Sequence, residues 1–205
     1  WERNTMKIFA KIAAATLISL IALAAAGAVF YITVTADARL QAEKLTPAAE
    51  GYAVYDAADT FIAELSPRGG HKSVKGADLP AHVRDAFICA EDKNFYSHGG
   101  LDYKGIARAM LANLRARSFR QGGSTISQQL VKNTQLTSEK TLIRKLREIK
   151  LTRQLEKRYS KDQILEMYLN TIYFGHACYG IAGASEFYFG KDTKDLTAAE
   201  GAMLA

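Results

Sequence analysis

Residues 12–34 carry no charged side chain. As a helix, this run of about 23 apolar and small residues reaches roughly 34 Å, enough to cross a bilayer. After it the pattern changes. Tyr52-Ala53-Val54-Tyr55 and Thr60-Phe61-Ile62-Ala63-Glu64-Leu65 flank Asp56-Ala57-Ala58-Asp59, which predicts two short strands joined by a turn. Pro47, Pro67 and Pro80 all fall in this region, so residues 35–80 read as linker and strand, since proline removes a helix hydrogen bond. From residue 81 onward apolar positions return at helical spacing. Val83, Phe87 and Ala90 form one such set, followed by Ile106, Met110 and Leu114, then by Leu142, Leu146 and Ile149. Ile164, Leu165, Tyr168 and Leu169 continue the pattern in a helix capped at Ser160, with Asp162 in its first turn. The predicted fold class is mainly α, with a short β-hairpin ahead of a helical domain over 81–205 and one N-terminal transmembrane helix. The chain stops at Met203-Leu204-Ala205 with no helix-ending signal, so that domain is expected to be C-terminally incomplete.

Charge orients the first helix. Arg3, Lys7 and Lys11 precede it, whereas Asp37, Arg39, Glu43 and Lys44 mix signs after it. The positive-inside rule then puts residues 1–11 in the cytoplasm and the rest outside, on a single-pass anchor in the cytoplasmic (inner) membrane. A cleaved signal peptide is the competing reading, because Ala36-Asp37-Ala38 has cleavage-site spacing; its apolar core usually runs only about 7–15 residues. Both readings export the domain.

The formal net charge of +6 suits nucleic acid, an anionic membrane surface or a phosphate-bearing ligand. Export removes nucleic acid from that set. With 48% hydrophobic residues in 205, the chain can bury a core. Cys89 and Cys178 are expected to be unpaired thiols, and no Cys-x-x-Cys or His-Glu-x-x-His spacing marks a metal site.

Three polar blocks carry candidate chemistry. The first, Glu91-Asp92-Lys93-Asn94-Phe95-Tyr96-Ser97-His98, places Glu91 near a helix C-terminus, where Asp92, Phe95 and His98 surround it before Gly99-Gly100 breaks the turn. In the second, Gln121-Gly122-Gly123-Ser124-Thr125-Ile126-Ser127-Gln128-Gln129-Leu130-Val131-Lys132, a helix beginning near Ser124 aligns Thr125, Gln129 and Lys132 on one face. Its N-terminus favours an anion. The third, Arg144-Lys145-Leu146-Arg147-Glu148, lets both leading cations share a face with Glu148. Singly, each block also reads as an ordinary capping network, an N-capped helix or a surface salt bridge.

Taken in order, and followed by Ile164-Leu165-Glu166-Met167-Tyr168-Leu169-Asn170 and Leu196-Thr197-Ala198-Ala199-Glu200, these blocks resemble the signature motifs of peptidoglycan glycosyltransferases, the family-51 domain of class A penicillin-binding proteins. The resemblance covers about residues 52–205. It implies a lysozyme-like helical glycosyltransferase domain that polymerises lipid II into glycan chains, forming β-1,4 bonds with inversion and releasing lipid pyrophosphate. Glu91 is then the general base and Glu148 the second catalytic carboxylate. Asp92 and His98 orient that base or bind substrate, Phe95, Ser124, Thr125, Gln128, Gln129 and Lys132 bind sugar or pyrophosphate, and Arg144 and Lys145 neutralise the leaving group. Glu148 orients these cations or shares a divalent ion with the phosphates, magnesium or manganese being the cofactor the resemblance admits. Glu166, Asn170 and Glu200 read as structural support. The acid side chains of the first and third blocks are expected to face each other across one groove. Partners implied are lipid II, the growing glycan, the membrane and cell-wall synthesis or division proteins. Arg108, Arg115, Arg117 and Arg120, mixed with Met110, Leu111, Leu114 and Phe119, suggest a membrane-facing flap. A lysozyme-like muramidase and a non-catalytic precursor-binding module are the alternatives.

Overall fold

The structure is a computed structural model that describes residues 2–46, 52–65, 73–118, 122–176 and 178–205. Pro47, Pro67, Phe119, Arg120 and Gln121 lie outside the described residues. Helix α1 (Glu2–Thr35) contains an uninterrupted apolar span over Lys11–Thr35. The hydroxyls of Thr16, Ser19 and Thr33 donate to the carbonyls of Ile12, Ala15 and Val29, each at 2.9 Å. These three hydroxyls are thus satisfied within the helix, which is long and apolar enough to cross a bilayer.

Strands β1 (Tyr52–Tyr55) and β2 (Phe61–Leu65) pair antiparallel as predicted. Asp56 organises their turn, accepting from the backbone N–H groups of Ala58 and Thr60 at 2.8 Å each.

Seven further helices follow among the described residues: α2 (Ala81–Glu91), α3 (Tyr103–Ala116), α4 (Ile126–Gln135), α5 (Leu142–Arg158), α6 (Lys161–Thr171), α7 (Ile181–Phe189) and α8 (Ala198–Leu204). Local sequence sets their starts. Thr125 with Gln128, Ser160 with Gln163 and Thr197 with Glu200 each form a reciprocal capping box that satisfies orphan N–H donors at the first turns of α4, α6 and α8.

Helix α4 is the hub of the core, packing against both α5 and α6, while α2 packs against α8. Ile126 and Leu130 from α4, Phe87 from α2, Leu155 from α5 and Ile164 and Leu169 from α6 are essentially inaccessible. Burying side chains of this size contributes about 1.5–3 kcal/mol each. The stretch assigned to linker by its prolines also supplies core residues, Ala38, Leu45 and Leu79. Glu166 and Asn170 fasten it: Glu166 accepts from the Gly76 N–H at 2.7 Å, and Asn170 exchanges bonds with both backbone groups of Val74.

The helical spacing of α3 and the start of α5 points elsewhere than the core. Met110 and Leu114 are each 72% exposed, Ile106 is 39% exposed and Leu142 is 70% exposed. Their periodicity is real, but no element among the described residues covers that face. Cys89 and Cys178 are free thiols.

Candidate active site

Glu91 is the last residue of α2 and its side chain is exposed. It opens into a cleft of about 380 Å³ whose walls include Lys93, Arg108, Ser124 and Gln129. The Gln129 amide donates to Glu91 Oε2 at 2.6 Å, and the Tyr168 hydroxyl donates to Gln129 Oε1 at 3.3 Å. Helices α6, α4 and α2 thereby meet in one chain of hydrogen bonds ending on a solvent-facing carboxylate. Burial, and after it the charge of Glu91, pushes the Tyr168 hydroxyl well above its ordinary pKa. Tyr168 therefore remains a donor at any physiological pH.

Asp92 also lines the cleft but is buried. Its carboxylate accepts from the N–H of Ile126, in the first turn of α4, at 3.1 Å and from His98 Nε2 at 3.0 Å. A carboxylate at that helix end complements the dipole. His98 Nδ1 accepts from the Gly100 N–H at 3.1 Å; this makes Nε2 the protonated nitrogen facing Asp92. Gly100 holds the loop at φ +91°, and its carbonyl accepts from the Thr125 hydroxyl at 2.7 Å. Asp92 and His98 thus splice the first block to the second. They hold the frame on which Glu91 stands.

Opposite Gln129 on α4's other flank, Gln128 is buried and donates to Glu148 Oε1 at 3.1 Å. Glu148 is 2% exposed; Arg144 Nη1 donates to its Oε2 at 2.8 Å, and Lys145 Nζ donates to its Oε1. Arg144 is mostly covered, whereas the Lys145 side chain is 39% exposed. The consecutive amides Gln128 and Gln129 therefore reach the third and first blocks respectively.

Several sequence expectations need correction on this geometry. Glu91 and Glu148 do not face each other as two open acids, because Glu148 is enclosed with a donor on each oxygen while Glu91 is open. Phe95 is fully buried in the core, with the Lys161 ammonium 4.5 Å from its ring centre, and cannot reach a ligand. Gln128 is likewise buried, spent on the capping box and on Glu148, whereas Thr125, though buried in the same capping box, lines the cleft beside Ser124 and Gln129. Ser124 is exposed on the cleft, and Lys132 is exposed one turn beyond Gln129, with no ion pair among the described residues. A divalent ion does not fit at Glu148: two cations and an amide already occupy the carboxylate. No group of three or more His, Cys, Asp or Glu side chains placed to hold a metal ion occurs among the described residues.

Sequence reasoning passed over Lys93, Asp102 and Arg108 as wall residues of the cleft. Asp102 caps α3, accepting from Gly105 at 2.9 Å, and receives the Asn94 amide at 2.9 Å. These two bonds, Asn94 first, lower its pKa. An Asp three residues before a glycine at a helix start was the available signal.

The arrangement offers an exposed carboxylate oriented by an amide, in a polar cleft, with a separate cation pair held on a buried acid one helix away. Such a division suits taking a proton at one point while neutralising negative charge at another. The family model described as transglycosylase matches residues 58–205. Among curated proteins, the chain is similar to penicillin-binding protein 1F of Bacillus subtilis, with 53% identity over 128 residues, covering 62% of this chain and 18% of that protein. Penicillin-binding protein 1A of Neisseria lactamica is 51% identical over 131 residues, covering 64% of this chain and 16% of the relative. Penicillin-binding protein 2D of Bacillus subtilis is 42% identical over 182 residues, covering 89% of this chain and 26% of the relative. The chain thus spans about a quarter or less of the length of these relatives. With a family match over most of its length, this chain belongs to the transglycosylase family.

Proposed function

We propose that this chain polymerises peptidoglycan glycan strands from lipid II at the outer face of the cytoplasmic membrane. The observation that carries the proposal is the pairing of an exposed Glu91, held by Gln129, with the Arg144–Lys145 pair held by Glu148 through the same helix α4. In this reading Glu91 takes the proton from the 4-hydroxyl of the acceptor sugar as that oxygen attacks the anomeric carbon of the growing chain. The bond to the lipid pyrophosphate breaks on the opposite face, so the configuration inverts and a β-1,4 linkage forms. Arg144, Lys145 and Lys132 receive the departing negative charge. Glu148 acts as a positioning residue that aims the two cations. Its neighbours leave it no free oxygen for proton transfer.

The membrane supplies the setting. Helix α1 anchors the chain, and the uncovered apolar side of α3, with Lys104, Arg108 and Arg115 nearby in sequence, rests on lipid and its anionic headgroups. The proposal is tested with labelled lipid II in vesicles, comparing the chain and a C-terminally longer version with their Glu91→Gln forms. Lysozyme-digestible polymer from the parent, with a rate about 10²–10⁴-fold lower in Glu91→Gln, is expected. Near-normal polymerisation by the Gln form refutes the role of Glu91. Solubilisation of preformed glycan without consumption of lipid II would assign a muramidase instead.

A further inference from the structure

Helix α5 carries a second polar face next to the one that faces α4. Arg147, Lys150 and Gln154 recur at i, i+3 and i+7, and all three reach the point where α1 ends. Arg147 Nε donates to the Val34 carbonyl at 2.9 Å, and its Nη2 grips both oxygens of Asp37 at 3.0 and 3.1 Å. Lys150 Nζ donates to the Thr35 carbonyl at 2.5 Å. Gln154 donates to the Ala38 carbonyl at 3.2 Å and accepts from the Leu40 N–H at 2.9 Å. At the end of α4, Gln135 makes the same two-way exchange with Gln41, at 3.0 Å in each direction.

These bonds answer a specific need. The last carbonyls of a helix have no partner within it and carry the negative end of its dipole. Helix α1 has no basic residue in its own last turn. The missing cations come from α5, more than a hundred residues later in the chain. A helix rises about 1.5 Å per residue, so Arg144 and Lys145 lie only about 3–5 Å along the axis from the guanidinium that holds the anchor.

We propose that Arg147, Lys150 and Gln154 are positioning residues that lock the exit of the membrane anchor to α5 and so fix the Arg144–Lys145 pair at the depth of a bilayer-embedded substrate's pyrophosphate. The proposal rests on the function given above, because the depth matters only for a substrate whose diphosphate is tied to the membrane. A substrate held by its lipid cannot rise to meet displaced cations. A loosened anchor therefore penalises membrane-bound substrate selectively, and a soluble one escapes the penalty.

The test uses the full chain in vesicles, with Arg147→Ala and Lys150→Ala combined, and two substrates: long-chain lipid II in the bilayer and a short-chain, detergent-soluble analogue. The rate on bilayer substrate is expected to fall by about tenfold or more, since misplacement of about 1 Å can cost 10²-fold. The rate on the soluble analogue is expected to stay within about twofold of the parent. Arg147→Lys with Lys150 intact, which keeps a donor for the Val34 carbonyl, is expected to recover most of the loss. Equal loss on both substrates, or no loss on either, overturns the proposal.

An activity-independent measurement accompanies it. Nitroxide labels at Val29→Cys and Lys157→Cys, in a Cys89→Ser, Cys178→Ser background, report the distance between anchor and α5. One narrow distribution in the parent that broadens in the double variant supports the lock; an equally narrow distribution in the variant overturns it. If the parent turns over neither substrate, the functional reading fails, and the distance measurement still decides whether the lock exists.

Discussion

Gln129 donates its amide hydrogen to Glu91 at 2.6 Å, across a gap of 38 positions in sequence. A carboxylate at a helix end ordinarily samples several rotamers in water. Here one oxygen is fixed, and on the proposed function the other is left to take a proton from the cleft. Because the Gln129 carbonyl oxygen in turn accepts from Tyr168, the amide cannot flip without losing both bonds.

Removing that restraint is expected to slow chemistry more than binding. Gln129→Leu should lower kcat about tenfold with a smaller change in KM, since proton transfer depends on the base's geometry. Tyr168→Phe, which breaks the longer bond, should have a weaker effect and cost under about 1.5 kcal/mol of stability. The Tyr168 hydroxyl has its pKa raised by burial, so the ratio of parent to Tyr168→Phe rates should be flat from about pH 6 to 9. Steady-state rates on lipid II across that range check the kinetic statements, and urea unfolding checks the stability cost.

Glu148 should matter to both fold and turnover. Glu148→Ala strips the partner from Gln128, Arg144 and Lys145 together. A loss of about 1.5–3 kcal/mol is expected, the worth of hydrogen bonds to a charged group, because both cations retain some access to water. Urea unfolding measures it. Arg144→Ala should instead reduce turnover with a smaller stability change, because Glu148 keeps Lys145.

Gly100 sits at φ +91°, where a Cβ would come within 2.8 Å of Glu156 Cγ and Thr152 Cγ2. Gly100→Ala is expected to cost about 1–3 kcal/mol from backbone strain alone, and to loosen the His98 and Thr125 bonds that this residue makes. Thermal melting together with a lipid II assay checks it. A stable, fully active Ala variant would show that the loop does not frame the site.

Glu200 gives a pH signature away from the cleft. Its ion pair with Lys191, then its bonds from Thr197, lower its pKa from 4.5 to about 2. A carboxylate with a depressed folded-state pKa contributes stability above its unfolded value and loses that contribution as pH falls toward the folded one. The melting-temperature gap between the parent and Glu200→Gln should therefore be constant above about pH 5 and close between pH 4.5 and about 2. Scanning calorimetry at several pH values reads this directly.

The sequence by itself determined the features governed by neighbours along the chain. The apolar run of α1, the hairpin around Asp56, the cap at Ser160 and the placement of Glu91 at a helix end all depend on spacing within a few residues. The resemblance to the transglycosylase family rested on such local blocks in order, and the family match bore it out; the supporting roles it implied for Glu166 and Asn170 take effect through Gly76 and Val74, far away in the chain. Periodicity states which side chains share a face and is silent on what that face meets. Only the tertiary structure decided that Phe95 belongs to the core, that Met110 and Leu114 remain uncovered, and that Glu148 is buried under its own cations. The same holds for Gln129 on Glu91 and Arg147 on Val34, contacts between positions far apart in the chain. Such pairings are set by how helices pack around α4, a collective outcome of burying apolar surface that no local pattern encodes.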